Sequence, residues 1–376
     1  MSNVWRLSEC WARRWPFALG ALALLGLALP SGALAQSSVG RAANTATALS
    51  VQDAVQQQQS ELINSSGVGS GSGAGAAIGA GASPTGRLRA SDHDALKVTA
   101  ADNFAWDTRE GSVFGTGVYT LPGTVLGGNV KVSLFGGHNW LALELKDGGG
   151  GTGLSIDQYG KARNESVIVG GTALWSQKNT YALATLVGMW GETSLTDSID
   201  DCGHGAPDDC VTHKYKFNTS GFISTGTVGQ VFPLSKSASG PMLDLRGSVS
   251  YTQNIGESFL NYTGDTQKYK YMTWTGTGGV TLFSNIALQN SALLRPYIQG
   301  YIRQEFGYSN KLVAEENGGG PLSGIRHYDQ AHTYGGVDVG ATYALGNMTL
   351  GAAAYYDISA DDRTFGGRLG ASWKLN

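Results

Sequence analysis

The alternation of apolar and other side chains near the end of the chain restricts its fold most. In 348–358 and 364–376, successive residues fall into two sets, one mainly apolar and the other small or polar. Neighbouring side chains on a β-strand point to opposite faces, so this two-residue period predicts strands. The apolar set comprises Met348, Leu350, Ala352, Ala354, Tyr356 and Ile358, then Phe365, Gly367, Leu369, Ala371, Trp373 and Leu375.

The same period recurs over most of the chain from residue 111 and predicts an all-β fold of long antiparallel strands. Ten strands from about residue 139 and two more between 111 and 137 give twelve, with ten as the alternative count. Gly136-Gly137-His138-Asn139 is predicted to be a turn between them. The other predicted strands are 164–177, 180–195, 213–233, 242–257, 267–284, 292–308, 332–345, 347–359 and 364–376.

These strands favour a transmembrane, up-and-down β-barrel over a soluble sandwich. They are longer than the usual five or six residues, and long enough for a tilted span of about 9–11. Their connections alternate between short turns, such as Lys178-Asn179, and long loops, such as 196–212 and 309–331. In a barrel of this kind the apolar faces meet lipid and the polar faces line the lumen. The predicted lumen-lining residues are Asp244, Arg246, Arg295, Tyr297, Arg303 and Glu305.

The start of the chain predicts secretion. Three arginines precede the apolar run 17–29, and Ala33-Leu34-Ala35 offers the small residues of a cleavage site, so 1–35 is predicted to be a signal peptide. Glycine makes up 56 of 376 residues, about double the usual share, and only 15% of residues are charged. This mixture suits a barrel whose two faces alternate. The net charge of −3 indicates no nucleic-acid partner.

Two segments lie between the signal and the strands. Residues 36–90 are polar and then rich in glycine, serine and alanine, which predicts a low-complexity short passenger or linker. A helix over about 45–63 is an alternative for part of it, although its apolar residues are irregularly spaced. Ser91-Asp92-His93-Asp94 resembles a capping box and predicts a short helix over 92–103, within a candidate helical region 91–110.

The remaining chemistry is sparse. Cys202 and Cys210 form an even pair in a secreted chain, and we predict a disulfide that pins an outer loop. The acidic residues and histidine around them favour a solvated loop, with a protease site and a weak Ca²⁺ site as alternatives. The sequence contains no nucleophile elbow and no zinc-ligand spacing, so we expect no catalytic residues, no metal, no cofactor and no enzyme activity. The residues concerned are Asp200, Asp201, His204, Asp208, Asp209, His327, Asp329 and His332.

Two stretches carry a family resemblance. Arg295-Pro296-Tyr297-Ile298 leads to Arg303-Gln304-Glu305-Phe306, and the terminal hairpins 334–376 are rich in glycine pairs. With the signal, the region from 111 to the end resembles the autotransporter β-domain, the translocator of type V secretion. The resemblance implies a barrel with a helix in its pore, here Ser91–Asn103, joined to an exported passenger.

The resemblance also implies a setting and partners. The barrel is expected in the outer membrane of a Gram-negative bacterium, contacting outer-membrane lipid, periplasmic chaperones and the barrel-assembly machinery. Such barrels usually end on an aromatic residue that this machinery reads, and the last aromatic here is Trp373. The sequence therefore predicts a barrel that anchors and translocates or displays its N-terminal segment at the cell surface. The alternative is a small porin, or a surface barrel whose loops bind an extracellular ligand.

Overall fold

A computed structural model describes most of the strand-forming part of the chain and part of an N-terminal helix. None of the described helical residues forms a helix that is long and apolar enough to span a membrane. The described residues are 43–44, 46–52, 55–56, 59, 62–63, 80–99, 102–146, 158–199, 211–237, 240–260, 266–288, 291–315, 333–359 and 362–375, with side chains not described for 80–108 and a few strand ends.

Twelve long strands and two very short ones make up the described β-structure. The short ones are β8 (Phe259–Leu260) and β10 (Ile286–Ala287). The long ones are β1 (Ala80–Thr99), β2 (Asp102–Thr120), β3 (Asn129–Lys146), β4 (Gln158–Gln177), β5 (Thr180–Ile199), β6 (Val211–Pro233), β7 (Pro241–Gly256), β9 (Thr266–Ser284), β11 (Leu293–Glu315), β12 (Thr333–Leu345), β13 (Met348–Ile358) and β14 (Asp362–Leu375).

The sheet closes on itself. Each long strand pairs antiparallel with the next long strand, including β7 with β9 and β9 with β11. The last strand, β14, then pairs with the first, β1, from Ala80 opposite Leu375 to His93 opposite Asp362. Within the described residues this makes a twelve-strand, up-and-down barrel, which confirms the predicted architecture and the higher strand count.

The two ends of the barrel differ in their connections. One end carries the two-residue turns 178–179 and 346–347, and we call it the turn end; the opposite end is the loop end. Lys178 and Gly346 have φ of 53° and 57°, the left-handed first position that a two-residue hairpin turn favours. Both turns lie where the sequence predicts them. β1 begins and β14 ends at the turn end.

The polarity of the wall is the reverse of that in a soluble protein. On β11, Ile298 and Ile302 are 49% and 64% exposed on the outer face, whereas Arg303 and Glu305 are 2% and 1% exposed on the inner face. Large apolar side chains are exposed in the same way on the neighbouring strands. This arrangement matches a lipid-facing apolar band around a polar lumen.

The predicted helix at 91–110 is wrong, and the barrel begins before the predicted boundary at 111. Residues 91–99 lie in β1 and 102–110 lie in β2. Ser91 is opposite Thr364 on one side and Thr108 on the other, so the backbone is paired along both edges. A capping box contributes only about 1 kcal/mol, which two-sided strand pairing at the barrel seam outweighs.

The predicted turn at Gly136-Gly137-His138-Asn139 is also wrong, because all four residues lie inside β3. A Cβ atom at Gly137 would collide with the Val113 carbonyl oxygen and the Phe114 ring of β2. Glycine is therefore required here for close packing of a neighbouring ring, and not for a reversal of the chain. The two strands predicted between 111 and 137 are instead β1 and β2, which begin further upstream.

We predict that Gly137→Ala weakens the folded barrel by about 1–3 kcal/mol, because the added methyl group overpacks the β2–β3 contact. Urea unfolding of the purified barrel in detergent micelles measures this change. Gly115→Ala is the matched control, since a Cβ atom at Gly115 meets nothing within 4 Å. Equal unfolding midpoints for the two variants would contradict the packing argument.

Candidate functional site

A helix fills the lumen from the loop end to the turn end. We call the described helical residues within 43–63 α1. At its start, Ala43 belongs to a buried cluster with Leu143 and Leu195, which lie close to the loop-end termini of β3 and β5. At its end, Ile63 belongs to a cluster with Tyr181, next to the turn at 178–179. The N-terminal end of α1 therefore faces the loop end.

The middle of α1 is held by apolar contacts. Val51 and Val55 are 0% and 1% exposed. Removing an apolar side chain of this size from water contributes roughly 2 kcal/mol. Strands β2 to β6 of the wall supply inward-facing apolar residues. Their contact with Val51 and Val55 buries the helix residues and the wall residues alike. These wall residues are Phe114, Phe135, Ile168, Val187, Met189 and Ile223.

Polar side chains at the start of α1 are matched by polar groups on the wall. The Asn44 Nδ2 atom donates to the Asn254 carbonyl at 3.2 Å, and the Asn254 Nδ2 atom donates to the Asn44 carbonyl at 3.0 Å. The Ser50 hydroxyl donates to Asn139 Oδ1 at 3.0 Å. These reciprocal bonds fix the helix against β7 and β3.

Two glutamines of α1 bind threonine hydroxyls of the wall. The Thr252 hydroxyl donates to Gln52 Oε1 at 3.2 Å. The Gln59 amide donates to Thr185 Oγ1 at 2.8 Å and accepts from the Thr227 hydroxyl at 3.3 Å. Gln59 thus bridges β5 and β6 with both ends of one amide. The glutamine-rich part of the segment has a specific structural role that its low complexity conceals.

The sequence analysis favours a passenger or linker for this segment because its apolar spacing is irregular. The structure explains the irregularity, since a helix inside a lumen contacts mixed polar and apolar walls and has no single solvent-facing side. Val51 and Val55 are four residues apart, and Gln52 and Gln59 are seven apart, so each pair shares a helix face. That combined spacing is the signal that could have identified α1.

Four of the six predicted lumen residues meet at the turn end. Asp244, Arg246, Arg295 and Tyr297 line one cavity of about 20 Å³ together with Ile63 of α1. A cavity of this size holds about one water molecule. Ile63 of α1 thus borders the same small space as these charged and polar side chains.

The charged side chains that line this cavity contact other side chains of the barrel wall. Tyr181, which the sequence analysis does not identify, donates its hydroxyl to Asp244 Oδ1 and Oδ2 at 2.9 and 3.0 Å. The Arg295 guanidinium lies 3.9 Å from the centre of the Phe283 ring, a cation–π contact. Arg246 donates to Thr281 Oγ1 at 3.2 Å.

The polar and charged lining continues on β11, β12 and β14, since Arg368 of β14 also borders this cavity. Arg368 donates to the Tyr297 hydroxyl at 2.7 Å and forms an ion pair with Asp338. Arg368 and Asp338 are not among the predicted lumen residues. Arg303, also predicted to line the lumen, places its guanidinium 4.4 Å from the centre of the Tyr334 ring. The sixth predicted residue, Glu305, is buried two positions further along the same strand.

The apolar and polar contacts with the wall hold α1 inside the lumen. Among the described residues, no group of three or more His, Cys, Asp or Glu side chains could hold a metal ion. The hydroxyl and amide groups of the wall form hydrogen bonds with α1, whereas the charged groups bond to other wall residues.

Three solved structures share this architecture. The β-domain of the Bordetella autotransporter BrkA has a TM-score of 0.53 at 17% identity, over 79% of this chain and 100% of that one. The transport unit of AIDA-I from Escherichia coli has 0.56 at 12%, over 81% and 93%. The translocator domain of NalP from Neisseria meningitidis has 0.56 at 13%, over 86% and 98%.

The chain has an autotransporter β-domain fold. Its resemblance to this type of domain, predicted from the sequence, is therefore confirmed at the level of the fold. No model of a protein family matches the chain, and no curated protein matches it either.

In this β-domain a residue of the connection after β7, Phe259, packs near the start of α1. β8 pairs with β9, and Phe259 of β8 stacks on Phe217 with ring centroids 5.0 Å apart and an interplanar angle of 9°. Phe259 also lies 5.7 Å from Tyr269, and all three belong to the buried cluster that contains Ala43. The aromatic group thus packs around the start of α1 near the loop end of the barrel.

Some predicted features lie wholly or partly outside the described residues. Cys202 and Cys210, with the acidic residues and histidine around them, are outside the described residues, as is 327–332. The backbone of Trp373 lies in β14 at the turn end, opposite Ala82 and Met348. The disulfide and the role of Trp373 in assembly stay predictions.

We predict that Phe259→Ala destabilises the β-domain by about 3 kcal/mol, because it removes a ring from the buried aromatic cluster. Thermal unfolding in detergent measures the loss. Leu260→Ala is the control on the same two-residue strand, because Leu260 is 63% exposed and should change the midpoint little. A larger effect from Leu260→Ala would contradict the assignment of Phe259 to the buried aromatic cluster.

We also predict that Val55→Asp loosens α1, because it places a carboxylate among the apolar residues of the central cluster. Conductance across a planar bilayer should rise from a near-closed baseline to frequent open events. Ala46→Ser, on a half-buried position of α1, is the control and should keep the baseline. An unchanged baseline for Val55→Asp would show that α1 does not close the lumen.

Proposed function

We propose that this protein is an autotransporter-like translocator, which anchors in the outer membrane and displays its N-terminal segment at the cell surface. The observation that carries this proposal is the direction of α1, since Ala43 lies toward the loop end and Ile63 toward the turn end. We therefore propose that export carries the chain before Ala43 to the loop side of the barrel. Loops of outer-membrane barrels are long on the extracellular side and short on the periplasmic side.

The proposed role of the barrel is mechanical. Its closed sheet pairs the backbone groups that lipid cannot solvate, and its exposed apolar side chains contact the bilayer. The lumen provides a polar route for a chain, and α1 occupies this route when export is complete. The proposed partners are outer-membrane lipid, the barrel-assembly machinery and periplasmic chaperones, after secretion directed by residues 1–35.

The displayed segment is smaller than the predicted passenger 36–90. Residues of α1 occupy the lumen between 43 and 63, and β1 begins at Ala80, so both belong to the translocator. The part of the predicted passenger that precedes α1 is 36–42. This segment, together with the loops, forms the proposed exposed surface.

The porin alternative is less well supported. Apolar clusters and hydrogen bonds hold α1 at the loop end, the middle and the turn end of the lumen. A porin needs a continuous aqueous channel, whereas α1 runs through the lumen of this barrel from the loop end to the turn end. An open pore would require α1 to leave the barrel.

Protease treatment of intact cells tests the proposal. An epitope tag after Gly40 should be lost while the barrel stays in the outer-membrane fraction, because this position precedes the loop-end terminus of α1. A tag after Lys236, in the turn between β6 and β7, is the control and should be protected. Protection of the Gly40 tag, with the Lys236 tag also protected, would argue against display and favour the porin reading.

A further inference from the structure

One row of side chains crosses six neighbouring strands of the lumen wall and consists only of serine and threonine. Each member lies directly opposite the next in the strand register. All are buried against the lumen, with exposures of 1–4%. The members, which we call the hydroxyl row, are Ser133, Thr172, Thr185, Thr225, Ser250 and Thr275.

The hydroxyl row rises along the barrel. Ser133 is the fifth residue of β3 and Ser250 is the tenth of β7, and both strands run from the turn end to the loop end. The row then meets Glu305, the thirteenth residue of β11, which is opposite Thr275. Because barrel strands tilt, a row across them climbs as it turns around the axis. The hydroxyl row thus follows a helical path around half of the lumen wall.

The hydrogen bonds of the hydroxyl row are partly internal. Thr172 and Thr185 are 2.8 Å apart at their Oγ1 atoms, and Thr225 and Ser250 are 2.9 Å apart at theirs. Thr275 Oγ1 is buried and has no hydrogen-bond partner among the described residues. One member, Thr185, also accepts from Gln59 of α1. The row therefore already binds a chain in the lumen and has capacity to bind more.

Hydroxyl groups can form hydrogen bonds with successive parts of a polypeptide that moves past them. Each can donate one hydrogen bond and accept two, and it rotates to meet either kind of backbone group. They are uncharged, so they neither select nor trap charged residues of the chain. The opposite wall differs, because Arg368 and Asp338 there are committed to an ion pair.

We infer that the hydroxyl row is the surface along which the exported chain moves through the lumen, exchanging hydrogen bonds with successive backbone groups. This inference rests on the proposed function, because it needs a segment to be exported. A passing amide that lost water without a partner would face an energetic barrier. The row lowers that barrier at each step by offering adaptable partners.

The test is the rate at which the Gly40 tag reaches the surface of pulse-labelled cells. The variant Thr225→Val/Ser250→Ala/Thr275→Val removes three adjacent hydroxyls, and export should be about fivefold slower, the factor for one net hydrogen bond. The control Ser220→Ala/Ser224→Ala changes the outward face of β6 and should export at the wild-type rate. Heat-modifiable migration in gels should show equal amounts of folded barrel.

A conservative variant tests whether slower export results from the loss of the hydroxyl groups or from altered packing at these positions. Thr225→Ser/Ser250→Thr/Thr275→Ser keeps every hydroxyl and should restore the wild-type rate. Equal rates for wild type and the hydroxyl-free variant would overturn the inference, even if bilayer conductance shows that α1 docks less firmly. A wild-type tag that never reaches the surface would instead remove the proposed function, so the two failures are distinguishable.

Discussion

The packing of α1 against the lumen wall is the interaction on which the rest of the structure depends. About eight strands enclose a space that wall side chains can fill by themselves, and a twelve-strand barrel is wider. Several inward-facing residues of this barrel are apolar, including Phe135 and Ile168, and they contact Val51 and Val55 of α1. Without the helix these side chains would face water in the lumen. The mixed polarity of the wall is therefore intelligible only with the helix in place.

The lumen has two sides with different chemistry. From β3 to β9 the wall presents hydroxyl groups and the apolar patches that hold α1, with the charged Asp244 and Arg246 confined to the turn end of β7. From β11 to β14 it presents charges that are paired with one another, such as Arg368 with Asp338. Hydroxyls adapt to a partner by rotation, whereas an ion pair keeps its geometry. One side is thus suited to contact with a chain, and the other to fixing the shape of the barrel.

Local periodicity was enough to predict the barrel, because alternation is set by each strand alone. The turns at 178–179 and 346–347, the nine long strands from β4 onward and the inner face of β11 follow from such local patterns. The errors concern segments whose structure depends on distant partners. The segment from Ser91 has a helix-like start, but β14, from the far end of the chain, pairs with 91–93, and β2 pairs with the same strand as far as Thr99. Likewise, α1 has an irregular pattern because the barrel surrounds it.

The pairing of β1 with β14 also has a consequence for biogenesis. The two strands are the first and last of the barrel, so their contact has the longest sequence separation in the sheet. Such non-local contacts form slowly, because the loop they close loses much conformational entropy. Until β14 is delivered, both β1 and β13 present open edges that can pair with other chains. Pairing of the fourteen-residue strand β14 with β1 thus sets the moment at which the barrel loses its open edges and stops being prone to aggregation.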